Sequence, residues 1–328
     1  MDIGLYTDSL SELSFERTLD VAADSGITSI EIATGGQSSA PHLRLAELLA
    51  SSTARARFLD AFAERGLRLS ALNCSAWPMH PVLGPAHAAL IDDTLHLASE
   101  LGIDRIVTMS GCSGDGPGAT TIDWAWYPWP TDLVEHGRRA WQTGVAFWNE
   151  KATLAERYGI RQIAFELHPL HLVYNVPTLL AFRAEVGDTI GANLDPSHLF
   201  WQGMDPIAAV RALGSAVYHV HMKDTQIHPD QVALAGVLDS RPFATPGERA
   251  WVFRTIGRVH PAAYWRSFLD ALRDAGYDDS LSIEQEDPYA DPEAGVREAA
   301  GFIGSLLQRG HAGVSDERDA VRGMTGPA

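Results

Sequence analysis

The chain has 328 residues, 45% of them hydrophobic, enough for a large core in one oversized domain or in two ordinary ones. Its 42 acidic residues outnumber 25 Lys and Arg, and a net charge of -17 opposes binding to a nucleic-acid backbone or an anionic membrane. With no apolar run near the ~20 residues of a membrane span, no leader-like start and only Cys74 and Cys112, the chain reads as cytoplasmic with reduced thiols.

In chain order the pattern reads strand 2–7, helix 15–25, strand 28–33, helix 43–65, strand 68–74, helix 86–101, strand 104–109 and helix 133–158. It continues as strand 160–167, helix 176–186, strand 189–195, helix 205–213, strand 216–222, helix 262–275, strand 280–285 and helix 292–308. Several helices close on a glycine, among them Gly26, Gly66, Gly102, Gly159 and Gly276. Eight alternating units fit an α/β fold of the (β/α)8 TIM-barrel type over residues 1–308, better than a doubly wound sheet with a Gly-rich phosphate turn. The long connections 110–132 and 223–261 leave the C-terminal ends of strands, where barrel enzymes keep their sites, and are expected to cover a substrate. Residues 309–328 are rich in Gly, Arg, Asp and Ser and read as a surface tail or a partner contact.

The ends of the last four strands carry Glu166, Asp195, His221 and Glu284. One such acid is as easily a helix cap as a ligand, but four donors on consecutive strand ends point to one divalent cation, because three acids at one barrel mouth repel each other without it. Oxygen and imidazole donors without thiolate suit Mn2+ first, with Mg2+ or Co2+ as alternatives. In Phe165-Glu166-Leu167-His168-Pro169, period-two alternation puts His168 on the side of Glu166, as a general base or as a support for the ligands. His198, three residues past Asp195, is placed for contact with substrate or for a place among the ligands. His219 lies a layer below His221 and reads as a hydrogen-bonded core histidine. Lys223 at the rim serves either to stabilise an enolate oxygen or to pair with Asp224, and Glu286 faces the same side as Glu284, with which it could exchange roles. The run Trp124-Ala125-Trp126-Tyr127-Pro128-Trp129-Pro130 is too aromatic and too interrupted for a helix stripe; Trp126 and Trp129 are expected to bind a sugar or a flat ring, or else to form a lid or an oligomer contact.

Through FELHP, NLDPSHLFWQG, HVHMKD and SIEQEDP the chain resembles the xylose isomerase-like barrel superfamily of sugar phosphate isomerases and epimerases, over about residues 1–308. The resemblance implies a divalent ion on Glu166, Asp195, His221 and Glu284 and chemistry that removes a proton next to a carbonyl, with Glu166 and Glu284 as opposed acid and base in the epimerases. It is also similar to the catalytic alpha subunits of bacterial C-glycoside deglycosidases, which implies a 3-keto glycoside substrate, His168 as base, and a small beta subunit in a hetero-oligomer. On that resemblance the enolate expels the aglycone from C1. An isomerase or epimerase uses the same enolate and returns the proton instead.

Overall fold

Period-two alternation sorts the side chains of the barrel strands between two environments. On Val217–Met222, Val220 and Met222 join the apolar layer beneath the helices, while His219 and His221 turn inward. The computed structural model describes the backbone of residues 1–322 and the side chains of residues 1–308. Its ten strands are β1 (Asp2–Tyr6), β2 (Ser29–Gly36), β3 (Arg68–Ser75), β4 (Arg105–Thr108), β5 (Gln162–Glu166), β6 (Ile190–Leu194), β7 (Val217–Met222), β8 (Asp224–Ile227), β9 (Trp251–Arg254) and β10 (Ser280–Ile283). Eight of them close a parallel barrel in the order β1-β10-β7-β6-β5-β4-β3-β2, and every expected strand is present. The remaining two, β8 and β9, pair antiparallel.

Local caps fix several helix ends. Asn175 and Thr178 make a reciprocal capping box at the start of Val176–Val186, and Gly102 closes Gly84–Leu101 with φ 73°, a conformation that L side chains avoid. The layer between strands and helices holds Trp148, Phe165, Phe182, Trp265 and Phe268, all fully buried; each such side chain contributes about 1.5 to 3 kcal/mol of transfer free energy. The Trp148 ring stands edge-on to Phe165 at 4.6 Å, and its indole N–H donates to the Ser110 carbonyl at 2.8 Å, which ties the start of connection 110–132 to the core.

Three features of the connections were not legible. Residues 223–261 are not an open loop: they contain the β8–β9 ribbon and the helix Pro229–Ala235. A short helix, Pro196–Trp201, directly follows Asp195. The last helix starts at Pro292 and its backbone runs to Arg322, across most of the segment expected to be a tail, and residues 323–328 lie outside the described residues. Among the described residues no helix is long and apolar enough to cross a membrane.

Candidate functional site

The C-terminal mouth collects the acids. Glu166 ends β5, Asp195 directly follows β6, His221 is the penultimate residue of β7, and Glu284 directly follows β10. One donor atom from each lies within 4.8 Å of those of the others. Asp195 Oδ1 accepts from the Ser197 N–H at 2.8 Å and so caps Pro196–Trp201, whereas the buried Oδ2 has no hydrogen bond of its own. His221 Nδ1 stands 3.1 Å from Glu284 Oε2. Three carboxylates with an imidazole nitrogen fit a divalent cation, and Asp195 Oδ2, buried and without a hydrogen bond although Lys223 and His198 stand near it, has a lone pair to give such an ion.

Beneath this cluster lies Glu31 on β2, which the sequence reading passed over. Its fully buried carboxylate accepts from Asn73 Nδ2 at 2.7 Å, Ser282 Oγ at 2.7 Å, His219 Nε2 at 2.7 Å and His221 Nε2 at 3.0 Å. Burial opposes the charge on Glu31, but the two imidazoles and their hydrogen bonds outweigh it and hold the carboxyl well below its usual range. Glu31 thereby occupies His221 Nε2 and leaves Nδ1 as the nitrogen facing the acids. The available signal was an acid within the apolar run Ile30-Glu31-Ile32, on the inward parity of β2. His219 is the core histidine expected of it.

Lys223 is buried and sits among carboxylates. Its ammonium donates to Glu284 Oε2 and Glu286 Oε2, each at 2.7 Å, and stands 3.2 Å from Asp195 Oδ2 and 4.5 Å from the centre of the Phe253 ring. Burial works against the charge, yet these acids raise the Lys223 pKa well above its ordinary value. The alternative partner, Asp224, is instead taken by His260 Nδ1 at 2.6 Å and by backbone N–H groups of the 257–260 turn. Glu284, opposed by burial but drawn by Lys223 and His221, lies far below the usual carboxylate range. Glu166 moves the other way: burial and the neighbouring Glu284 charge push it up to about 7.

Two further imidazoles, His198 and His168, gather beside Glu166, and a third, His171, packs against His168. His198 Nε2 is 2.9 Å from Glu166 Oε1 and 3.4 Å from Asp195 Oδ2, so the side chain is packed into the acid cluster rather than projecting from a loop. The His168 ring lies 4.4 Å from that of His198 and 5.8 Å from that of His171. His168 Nδ1 is 2.6 Å from the Pro169 carbonyl, which only accepts; Nδ1 therefore carries the proton and Nε2 keeps its lone pair. Burial and the neighbouring His198 push the His168 pKa down to about 4, so the ring is neutral at pH 7.

A cavity of about 790 Å3 opens over these groups, with Glu166, His168, His198, Lys223, Glu284 and Glu286 at its polar end. Its apolar side comes from both long connections: Trp124 from one, Phe243, Trp251 and Phe253 from the other, with Trp201 stacked on Trp251 at 4.7 Å. Trp126 and Trp129 do not line it. The Trp124 indole N–H donates to the His171 carbonyl at 3.0 Å and turns that ring inward, so the following residues fold outward. Trp126 borders a separate recess of about 250 Å3, and Trp129 is 70% exposed.

Residues 19–306 match the family described as the Xylose isomerase-like TIM barrel. The chain belongs to this family. It is 40% identical over 301 residues to the uncharacterized protein YfiH of Bacillus subtilis (strain 168), covering 90% of this chain and 96% of that one. Among solved structures, the probable 3-DHS dehydratase AsbF involved in petrobactin synthesis from Bacillus anthracis superposes with a TM-score of 0.65 at 18% identity, over 92% of this chain and 98% of that one. The IOLI protein with a binding zinc atom gives 0.65 at 18% (94% and 99% covered), and an L-ribulose 3-epimerase gives 0.62 at 18% (99% and 99%). At such identities these structures establish the common barrel.

Proposed function

We propose that the protein is a divalent-metal-dependent enzyme that removes the proton next to the ketone of a keto-sugar, and that it cleaves 3-keto C-glycosides by β-elimination. The observation that carries the reading is His168: a neutral imidazole with a free Nε2, beside a four-donor cluster, at the polar end of a cavity whose other side is aromatic.

Glu166, Asp195, His221 and Glu284 would hold the ion, Mn2+ by preference, and its chemistry there is to polarise the ketone oxygen. His168 Nε2 takes the C2 proton, and the electron pair moves onto the C3 oxygen, where the Lys223 ammonium supplies a compensating charge. As the ketone re-forms, a C1–C2 double bond forms and the C1–aglycone bond breaks. The ring leaves from its keto tautomer, in which an ortho or para hydroxyl has lost its proton and the ring carbon bound to C1 has taken the proton that His168 removed from C2; the pair of the breaking bond then restores the aromatic ring as a phenolate, which regains the hydroxyl proton. Trp124, Trp251 and Phe253 provide flat faces for such a ring.

A second reading keeps the enolate and returns the proton to carbon, giving an epimer or isomer of a free ketose. The opposite pKa shifts of Glu166 and Glu284 favour it, since they suit an acid and a base. The test is to incubate the Mn2+-loaded protein, with and without any small subunit encoded beside it, with a 3-keto C-glucoside and with free ketoses in deuterated water. Aglycone release supports the lyase. Deuterium incorporation with epimer formation from free ketoses, and no aglycone, overturns it in favour of the second reading.

A further inference from the structure

Arg249, just before β9, belongs to the wall of the same cavity and is 2% exposed. Its guanidinium carbon lies over two rings, 4.0 Å from the centre of Phe243 and 4.9 Å from that of Trp251. Nη1 donates to the Arg241 carbonyl, and Nε reaches the Trp251 carbonyl at 3.4 Å. Nη2 makes no hydrogen bond among the described residues, and no carboxylate there lies within ion-pair distance of Arg249. The nearby acid, Asp239, is already committed: it accepts from Arg241 Nε at 2.8 Å and Nη2 at 2.7 Å, and from the Ala250 N–H.

A buried cation without an ion-pair contact of its own is costly, and buried charges in folded proteins are normally paired directly; Asp239 acts on Arg249 only from a distance. Here the unpaired guanidinium lines the substrate cavity, held flat by two rings and with one nitrogen free. A ladder of contacts joins it to the reacting end: Lys223 over Phe253 at 4.5 Å, Phe253 to Trp251 at 5.3 Å, and Trp251 to Arg249 at 4.9 Å. We infer that Arg249 receives an anionic oxygen on the planar, apolar part of the substrate. The substrates are then keto-sugars carrying an acidic aryl group, with the sugar over the acid cluster and the anion on Arg249. This rests on the reading of the cavity as the substrate site.

The test uses a pair of probes matched in shape, the 3-keto C-β-D-glucosides of a 4-carboxyphenyl and a 4-carbamoylphenyl ring, which lack the ring hydroxyl that elimination requires and so stay intact, titrated calorimetrically into the Mn2+-loaded protein. A charge-assisted hydrogen bond predicts that the carboxylate binds ~10-fold or more tighter than the amide. Arg249→Gln should bring the ratio of the two affinities to about one, and Arg249→Lys should keep part of the preference because the charge remains. If the wild type binds both probes equally, or Arg249→Gln keeps the preference, the role of Arg249 is wrong while the cavity reading stands. If neither probe binds, both fall together.

Discussion

Replacing His168 by Ala tests the proposed chemistry most directly. With a pKa of about 4, the imidazole is ~99.9% unprotonated at pH 7, so the wild-type base is fully available and its titration should leave turnover unchanged down to about pH 5. Loss of a positioned general base typically costs ~10²- to 10⁴-fold in kcat, and because His168 donates only to the Pro169 carbonyl, the acid cluster should keep its metal. The same depressed pKa has a consequence for stability. Between pH 6.5 and 4 the unfolded chain protonates this histidine before the folded one does, so the folded state loses stability as the pH falls through that window and the loss levels off below it. The fall between pH 7 and pH 4.5, read by urea unfolding in the presence of chelator, should therefore be about 2 kcal/mol smaller in His168→Ala. Stopped-time product analysis and metal content measured on the same preparation complete the assay. Unchanged turnover at full metal occupancy would refute the assignment and move the base to a glutamate.

The other predictions concern the groups around that base. Glu284→Ala removes a donor that Lys223 and His221 both contact, and should abolish stoichiometric Mn2+ binding in equilibrium dialysis. Glu31→Gln leaves the four donors in place but weakens the grip on His221 Nε2; metal affinity should fall ~10- to 100-fold by competition with a chelating dye, and an unchanged affinity would make Glu31 a purely structural residue. Trp124→Ala with Trp251→Ala should raise KM for aryl-bearing substrates more than for free keto-sugars, whereas Trp126→Ala with Trp129→Ala should affect neither. The reverse result would return the aromatic contact to the outer part of the loop.

Much of the architecture was legible because barrel units are local. Each strand shows its period and each helix its caps within a dozen residues, and the four donors at the mouth fall at strand ends that the pattern alone located. The inner faces were harder to read. A lone acid such as Glu31 looks the same in sequence whether it faces solvent or two histidines from β7, 188 and 190 residues further along the chain. The connections were hardest: nothing near Trp124 marks it rather than Trp126 as the ring that turns inward, since the deciding hydrogen bond goes to His171, 47 residues away.

The division follows from the range of the forces. Alternation, capping and glycine closure act between neighbours, so the sequence by itself determined eight strand–helix units, their parallel closure and the candidate donors Glu166, Asp195, His221 and Glu284. Charge, burial and stacking act through space between elements far apart in the chain. Only the tertiary structure decided that Lys223 lies among Asp195, Glu284 and Glu286, that His168 is held neutral with Nε2 free, and that the β8–β9 ribbon brings an unpaired Arg249 to the wall of the same cavity.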